Sequence, residues 1–205
     1  MKHQVRNVAR IIEPRPVLEG AGVRLIRSIA TAELDHVDPF LLFDHFGSSN
    51  PADYMKGFPM HPHRGIETVT YMIRGRVNHK DSIGNSGSIA DGDVQWMTSG
   101  RGILHEEMPQ PDPVELSGFQ LWVNLPSRDK WLPPKYQDLR AEDVGLLTSP
   151  DGDVLLRLIA GDLGEVSGPG STHTPITMVH ATLHQGARMS LPWRSDFNAL
   201  VYVLN

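Results

Sequence analysis

Two short segments hold residues whose type and spacing could do chemistry. The first is Met60-His-Pro-His-Arg-Gly-Ile-Glu67. In an extended chain, residues two apart face the same side. His61 and His63 would then project into one space, and Glu67 has the same parity if no bulge falls at Gly65. Imidazole nitrogen is a common ligand for Fe, Ni, Cu and Zn, so the pair is half of a metal site. Two loop histidines before a strand would give the same letters. The second segment is Gly100-Arg-Gly-Ile-Leu-His-Glu-Glu-Met-Pro109. Here His105 and Glu107 are also two apart, while Glu106 would point the other way; a turn with a solvated acidic pair is the plainer alternative. Taken together, three imidazoles and one carboxylate form a set like those of non-haem iron sites, which leave positions open for water, substrate or dioxygen. Arg64 and Arg101 flank these residues and could hold an anionic substrate, although a surface position is the commoner fate of arginine. Gly100 and Gly102 would allow a close backbone approach beside His105.

Such residues need short, well-placed strands, and the composition favours them. The chain has 205 residues, 40% of them hydrophobic and 21% charged, which suits a globular protein with a real core. Its 19 glycines and 16 prolines leave little room for long helices. The net charge of −5 offers no global field for nucleic acid or anionic membrane. Absence of cysteine excludes disulfides, thiolate metal sites and cysteine nucleophiles. No apolar run is long enough for a spanning helix, and a cytoplasmic location is expected.

Strands are expected at Ala21–Ile29, Phe40–Phe43, Ile66–Val77, Val94–Thr98 and Phe119–Leu125, with turns at Gly84–Gly87 and Asp91–Asp93. Ile66–Val77 is apolar on both faces, as a strand buried on both sides would be. Pro126–Pro150 reads as a connector with one helical turn near Ala141–Val144. Strands resume at Val154–Ala160, Ile176–Leu183 and Ala199–Leu204. Trp96, Met97, Phe119 and Trp122 would build core or offer an aromatic substrate a surface. His45 and His79 read as structural or exposed, and His173, His180 and His184 lack the spacing for a second metal site.

Asp38–Gly47, His61–Tyr71, Gly92–Pro109, Phe119–Pro126 and Pro133–Gln137 together resemble the pirin family. The resemblance implies an all-β fold of cupin (jelly-roll type) barrels in bicupin architecture. It implies a metal-binding N-terminal cupin barrel over 1–133, a connector over 134–152 and a C-terminal cupin unit without metal over 153–205. Pirins continue beyond the segment that matches Phe197–Asn205, so the second barrel is expected to be incomplete. The resemblance assigns His61, His63, His105 and Glu107 as ligands of iron, Fe(II) first, with Ni, Mn, Cu and Zn chemically open. It leaves Glu67 as a support behind the ligands. It implies a dioxygenase that cleaves flavonols such as quercetin with dioxygen, with Glu107 as the base for the substrate hydroxyl. The other reading is a non-enzymatic, iron-dependent redox sensor acting through a protein partner, with no direct contact to nucleic acid.

Overall fold

The computed structural model describes residues 5–111 and 115–204. The N-terminal strands are β1 (Arg15–Glu19), β2 (Val23–Ile29), β3 (Phe40–Ser48), β4 (Phe58–His63) and β5 (Ile66–Arg74). They are followed by β6 (Val77–Asp81), β7 (Ser86–Ile89), β8 (Val94–Thr98), β9 (Ile103–Pro109), β10 (Leu116–Asn124) and β11 (Lys135–Leu139). The C-terminal part holds β12 (Gly145–Thr148), β13 (Val154–Ala160), the short pair β14 (Asp162–Leu163) and β15 (Val166–Ser167), and β16 (Met178–Leu183). One sheet has seven strands in the order β1-β2-β3-β10-β5-β8-β11, and a second has four in the order β4-β9-β6-β7. A third sheet, β12-β13-β16, belongs to the C-terminal part.

The seven-stranded sheet is apolar on both faces because it is covered on both. One face meets the four-stranded sheet around Val23, Leu25, Phe46, Met72, Val77 and Ile89. The other face carries Val69, Trp96, Phe119 and Leu121, which pack with Ile159, Ala160 and Ile176 of the C-terminal part. Strand β5 shows the division by parity: Thr68, Thr70 and Met72 face the first barrel, while Glu67, Val69 and Tyr71 face away from it. Burying both faces accounts for the unbroken apolar run of this strand.

The chain crosses between the two sheets at glycines. Gly65 has φ +70° and separates β4 from β5, and its amide donates to the Gly100 carbonyl at 2.7 Å. Gly100 has φ +49°, and a Cβ there would collide with the Leu132 carbonyl. Only glycine fits both demands, so the crossing from β8 to β9 is fixed in place just before His105.

Two expectations differ from the structure. The connector over 134–152 contributes β11, which pairs with β8 from Lys135↔Thr98 to Leu139↔Val94, and then β12. Strand β11 is polar (Lys-Tyr-Gln-Asp-Leu) because it is the edge of its sheet and buries only Leu139 fully. Near Ala141 the chain makes a turn and no helix. Ala199–Leu204 forms no strand, since no strand among the described residues offers it a ladder. Its alternation instead reflects burial: the Tyr202 ring lies 5.3 Å from Phe43 and 5.2 Å from Phe119, and Val201 and Val203 are exposed.

Candidate metal centre

Strands β4 and β9 are antiparallel neighbours, and His61 sits directly opposite His105. His63 lies two residues on and on the same face, so three imidazoles meet inside the first barrel. A nitrogen of each can be chosen so that all three lie within 4.8 Å of one another. Nε2 of His61 and Nε2 of His63 are 3.0 Å apart. Two nitrogens bound at right angles to one ion, each about 2.1 Å from it, would be separated by about 3.0 Å. The other His61 nitrogen, Nδ1, donates to the Pro59 carbonyl at 2.9 Å. A carbonyl only accepts, so the proton is on Nδ1 and the lone pair of Nε2 points into the cluster. Both nitrogens of His105 are buried without a hydrogen-bond partner among the described residues. Three converging, partly orphaned imidazoles are a donor set that fits a borderline transition metal.

Burial, then the neighbouring imidazoles, pushes His63 and His105 down to about 3. Both are therefore neutral at physiological pH, which is the form that ligates. The edge of Trp122 packs on His63, with ring centroids 5.0 Å apart.

Glu107 lies outside this group of three. Its Oε1 accepts from Thr70 Oγ1 at 2.9 Å, and the same hydroxyl lies 2.7 Å from Gln120 Oε1. Glu107, His61 and His63 all line one cavity of about 740 Å³, within the usual range for small-molecule sites. Its walls are mainly apolar, among them Leu25, Leu42, Phe46, Phe58 and Trp122.

Three flanking candidates do not reach this cavity. Glu67 cannot share the face of His61 and His63, because the positive-φ turn at Gly65 moves the chain into the other sheet. Its carboxylate accepts from Thr98 Oγ1 at 2.8 Å on the opposite face of β5, and its Oε2 is buried without a partner among the described residues. The Arg64 guanidinium stacks on Trp131 at 4.3 Å from the ring centre. Arg101 is exposed.

Burial raises the carboxyl pKa of Glu67, so the folded chain holds this proton more tightly than the unfolded chain. Stability therefore falls as pH rises above the unfolded value. Glu67→Gln removes the titration. Its stability relative to the parent should improve steadily from about pH 4.5 to 7.5 in urea unfolding. A pH-independent difference would refute this.

Thr70 and Gln120, which line the cavity, and His79, which backs the site, are not revealed by residue spacing. Thr70 and Gln120 are polar residues at the centres of apolar strands, which is a visible but unspecific signal. His79 sits opposite Glu107 on β6, and it is buried with its ring stacked at 5.5 Å on Tyr136. Only the register of four strands brings these residues together.

Residues 22–123 match the Pirin family model. The chain is 42% identical to the pirin-like protein of Caulobacter vibrioides over 201 residues, covering 97% of this chain and 72% of that one. It is 41% identical to pirin of Homo sapiens over 202 residues, covering 98% and 67%. Quercetin 2,3-dioxygenase from Acinetobacter baumannii superposes with a TM-score of 0.77 at 36% identity, over 86% of this chain and 64% of that one. The pirin YhhW from Escherichia coli, solved in complex with nickel(II), superposes at 0.54 and 23% identity, over 73% and 69%. With two sheets closing around a histidine cluster and relatives matched along nearly its whole length, the chain is a cupin-fold protein that belongs to the pirin family.

Proposed function

We propose that the protein is an Fe(II)-dependent dioxygenase that opens flavonols such as quercetin. The observation that carries this reading is the convergence of His61, His63 and His105, the first two of which line a large, mainly apolar cavity together with Glu107. The likeness to a quercetin 2,3-dioxygenase of known structure supports it. Iron held by the three imidazoles, with Glu107 as a further ligand, would supply Lewis-acid polarisation of the substrate's 3-hydroxyl and a centre for dioxygen chemistry. The protein's own residues do the rest. Glu107 takes the hydroxyl proton, with Thr70 fixing one of its oxygens so that the other is left for this role. The apolar walls hold the flat ring system and exclude water. Flavonol and one dioxygen are consumed together, and the products are one ring-opened ester and one carbon monoxide.

The test is oxygen uptake by protein loaded anaerobically with Fe(II) and then given quercetin. Uptake should match flavonol loss, and Glu107→Ala should lower the rate by about 10²–10⁴-fold. No uptake by protein shown to hold iron would overturn the assignment.

A further inference from the structure

One polar row crosses the seven-stranded sheet on its cavity-facing side. Opposed residues run from Arg27 on β2 to Asp44 on β3, then Gln120 on β10, then Thr70 on β5. At one end Thr70 holds Glu107. At the other end Arg27 gives Nε and Nη2 to the two Asp44 oxygens at 2.8 and 2.7 Å, and Nη1 to Glu19 at 2.8 Å. All six residues line the same cavity as His61 and His63. The positions flanking this row, such as Leu25, Leu42, Phe46 and Trp122, are apolar.

This far end has a definite chemical sense. Each of the three Arg27 nitrogens gives one N–H to Asp44 or Glu19, so three of its five N–H groups are spent there. Each Asp44 oxygen accepts one Arg27 bond, and a carboxylate has roughly four acceptor sites, so about two remain. Glu19, Arg27 and Asp44 together carry one negative charge. With free carboxylate acceptors and one net negative charge, the end favours a neutral ligand that brings hydrogen-bond donors over an anion. Asp44 lies two strand spacings from Thr70, about 10 Å. A flavonol's 3-hydroxyl and the hydroxyls of its far phenyl ring are about 6 Å apart, and a hydrogen bond of about 2.7 Å at each end brings the reach close to this separation.

We propose that Asp44, held by Arg27, is a specificity-determining residue that accepts hydrogen bonds from hydroxyls at the ligand end remote from the metal cluster. The substrate class is thus a neutral polyphenol with a hydroxylated distal ring. This rests on the flavonol reading of the site and adds which end of the ligand is selected.

The test is equilibrium binding to Zn(II)-loaded protein, followed by quenching of tryptophan fluorescence, so that no turnover is needed. The probes are quercetin with its 3′,4′-dihydroxyphenyl ring, galangin with an unsubstituted phenyl ring, and a quercetin sulfonated on that ring. Quercetin should bind about tenfold more tightly than galangin, as for a hydrogen bond to a charged acceptor, and the sulfonate more weakly than galangin. In Asp44→Asn the preference for quercetin should fall to within about threefold, and the sulfonate should gain. Equal binding of quercetin and galangin by the unaltered protein would overturn the proposal alone, even if Asp44→Asn fails to fold. Absence of oxygen uptake with the binding order intact would overturn the dioxygenase assignment alone. Failure of all three probes to bind would overturn the proposal together with the flavonol reading.

Discussion

Replacing His105 with alanine should lower the affinity for Fe(II) at least a hundredfold. His105 is 1% exposed, with ring centroids 4.5 Å from His61 and 4.9 Å from His63. Even partners behind a metal ligand are worth about 10–100-fold in affinity, so loss of an imidazole from a set of three should cost no less. His63→Ala should match it, since the two rings point at the same space from neighbouring strands. His36→Ala and His184→Ala replace exposed histidines outside the barrel, and each should stay within about twofold of the parent. Equilibrium dialysis with metal analysis at neutral pH reads all four, and circular dichroism checks that the sheets persist. Unchanged affinity in both folded cluster variants would move the metal elsewhere.

The sequence made these histidines legible because the relation that unites them is local. A separation of two in an extended strand puts His61 with His63, and His105 with Glu107, on shared faces whatever the rest of the fold does. What joins the two pairs is the register of β4 against β9, and nothing in either segment encodes it. Glu67 shows the limit of parity. The rule that unites His61 with His63 would include it, but the left-handed turn at Gly65 resets the face and sends Glu67 behind the sheet. The apolar character of β5 and β10 announced burial on both sides, and the structure supplies a layer on each. Strand β11 was hidden because an edge strand has no need of an apolar run. Ala199–Leu204 misled for the opposite reason: alternation records which side chains are covered, and Tyr202 is covered without any ladder bond. The row from Arg27 to Thr70 was invisible, since each strand contributes one polar residue and only the sheet order lines them up.

The metal-stripped protein should lose stability steeply in mild acid. Free histidine titrates near 6.5, whereas His63 and His105 are held down to about 3 in the folded chain, first by burial and then by neighbouring imidazoles, His105 and His61 for His63, and His61 and His79 for His105. Below pH 6.5 the unfolded chain binds these protons and the folded chain does not. Stability therefore rises with pH through this window and is lost as pH falls toward 3. Integrated from pH 6 to 4.5, two such groups contribute a loss of about 4 kcal/mol. That is a large part of the 5–15 kcal/mol typical of a folded protein. Burial also lowers His45, His79 and His180, which add to the slope. It raises Asp44 and Glu67, which oppose it. The cluster's share is therefore read by difference. Urea unfolding of chelator-treated protein at pH 6 and 4.5 gives the total. The same pair of measurements on His63→Gln, where the amide does not titrate, should recover about half of the 4 kcal/mol. An unchanged slope in that variant would show that His63 is not held neutral by its surroundings. The same burial that makes the barrel fragile in acid keeps both imidazoles unprotonated at neutral pH, so a metal arriving there displaces no proton from them.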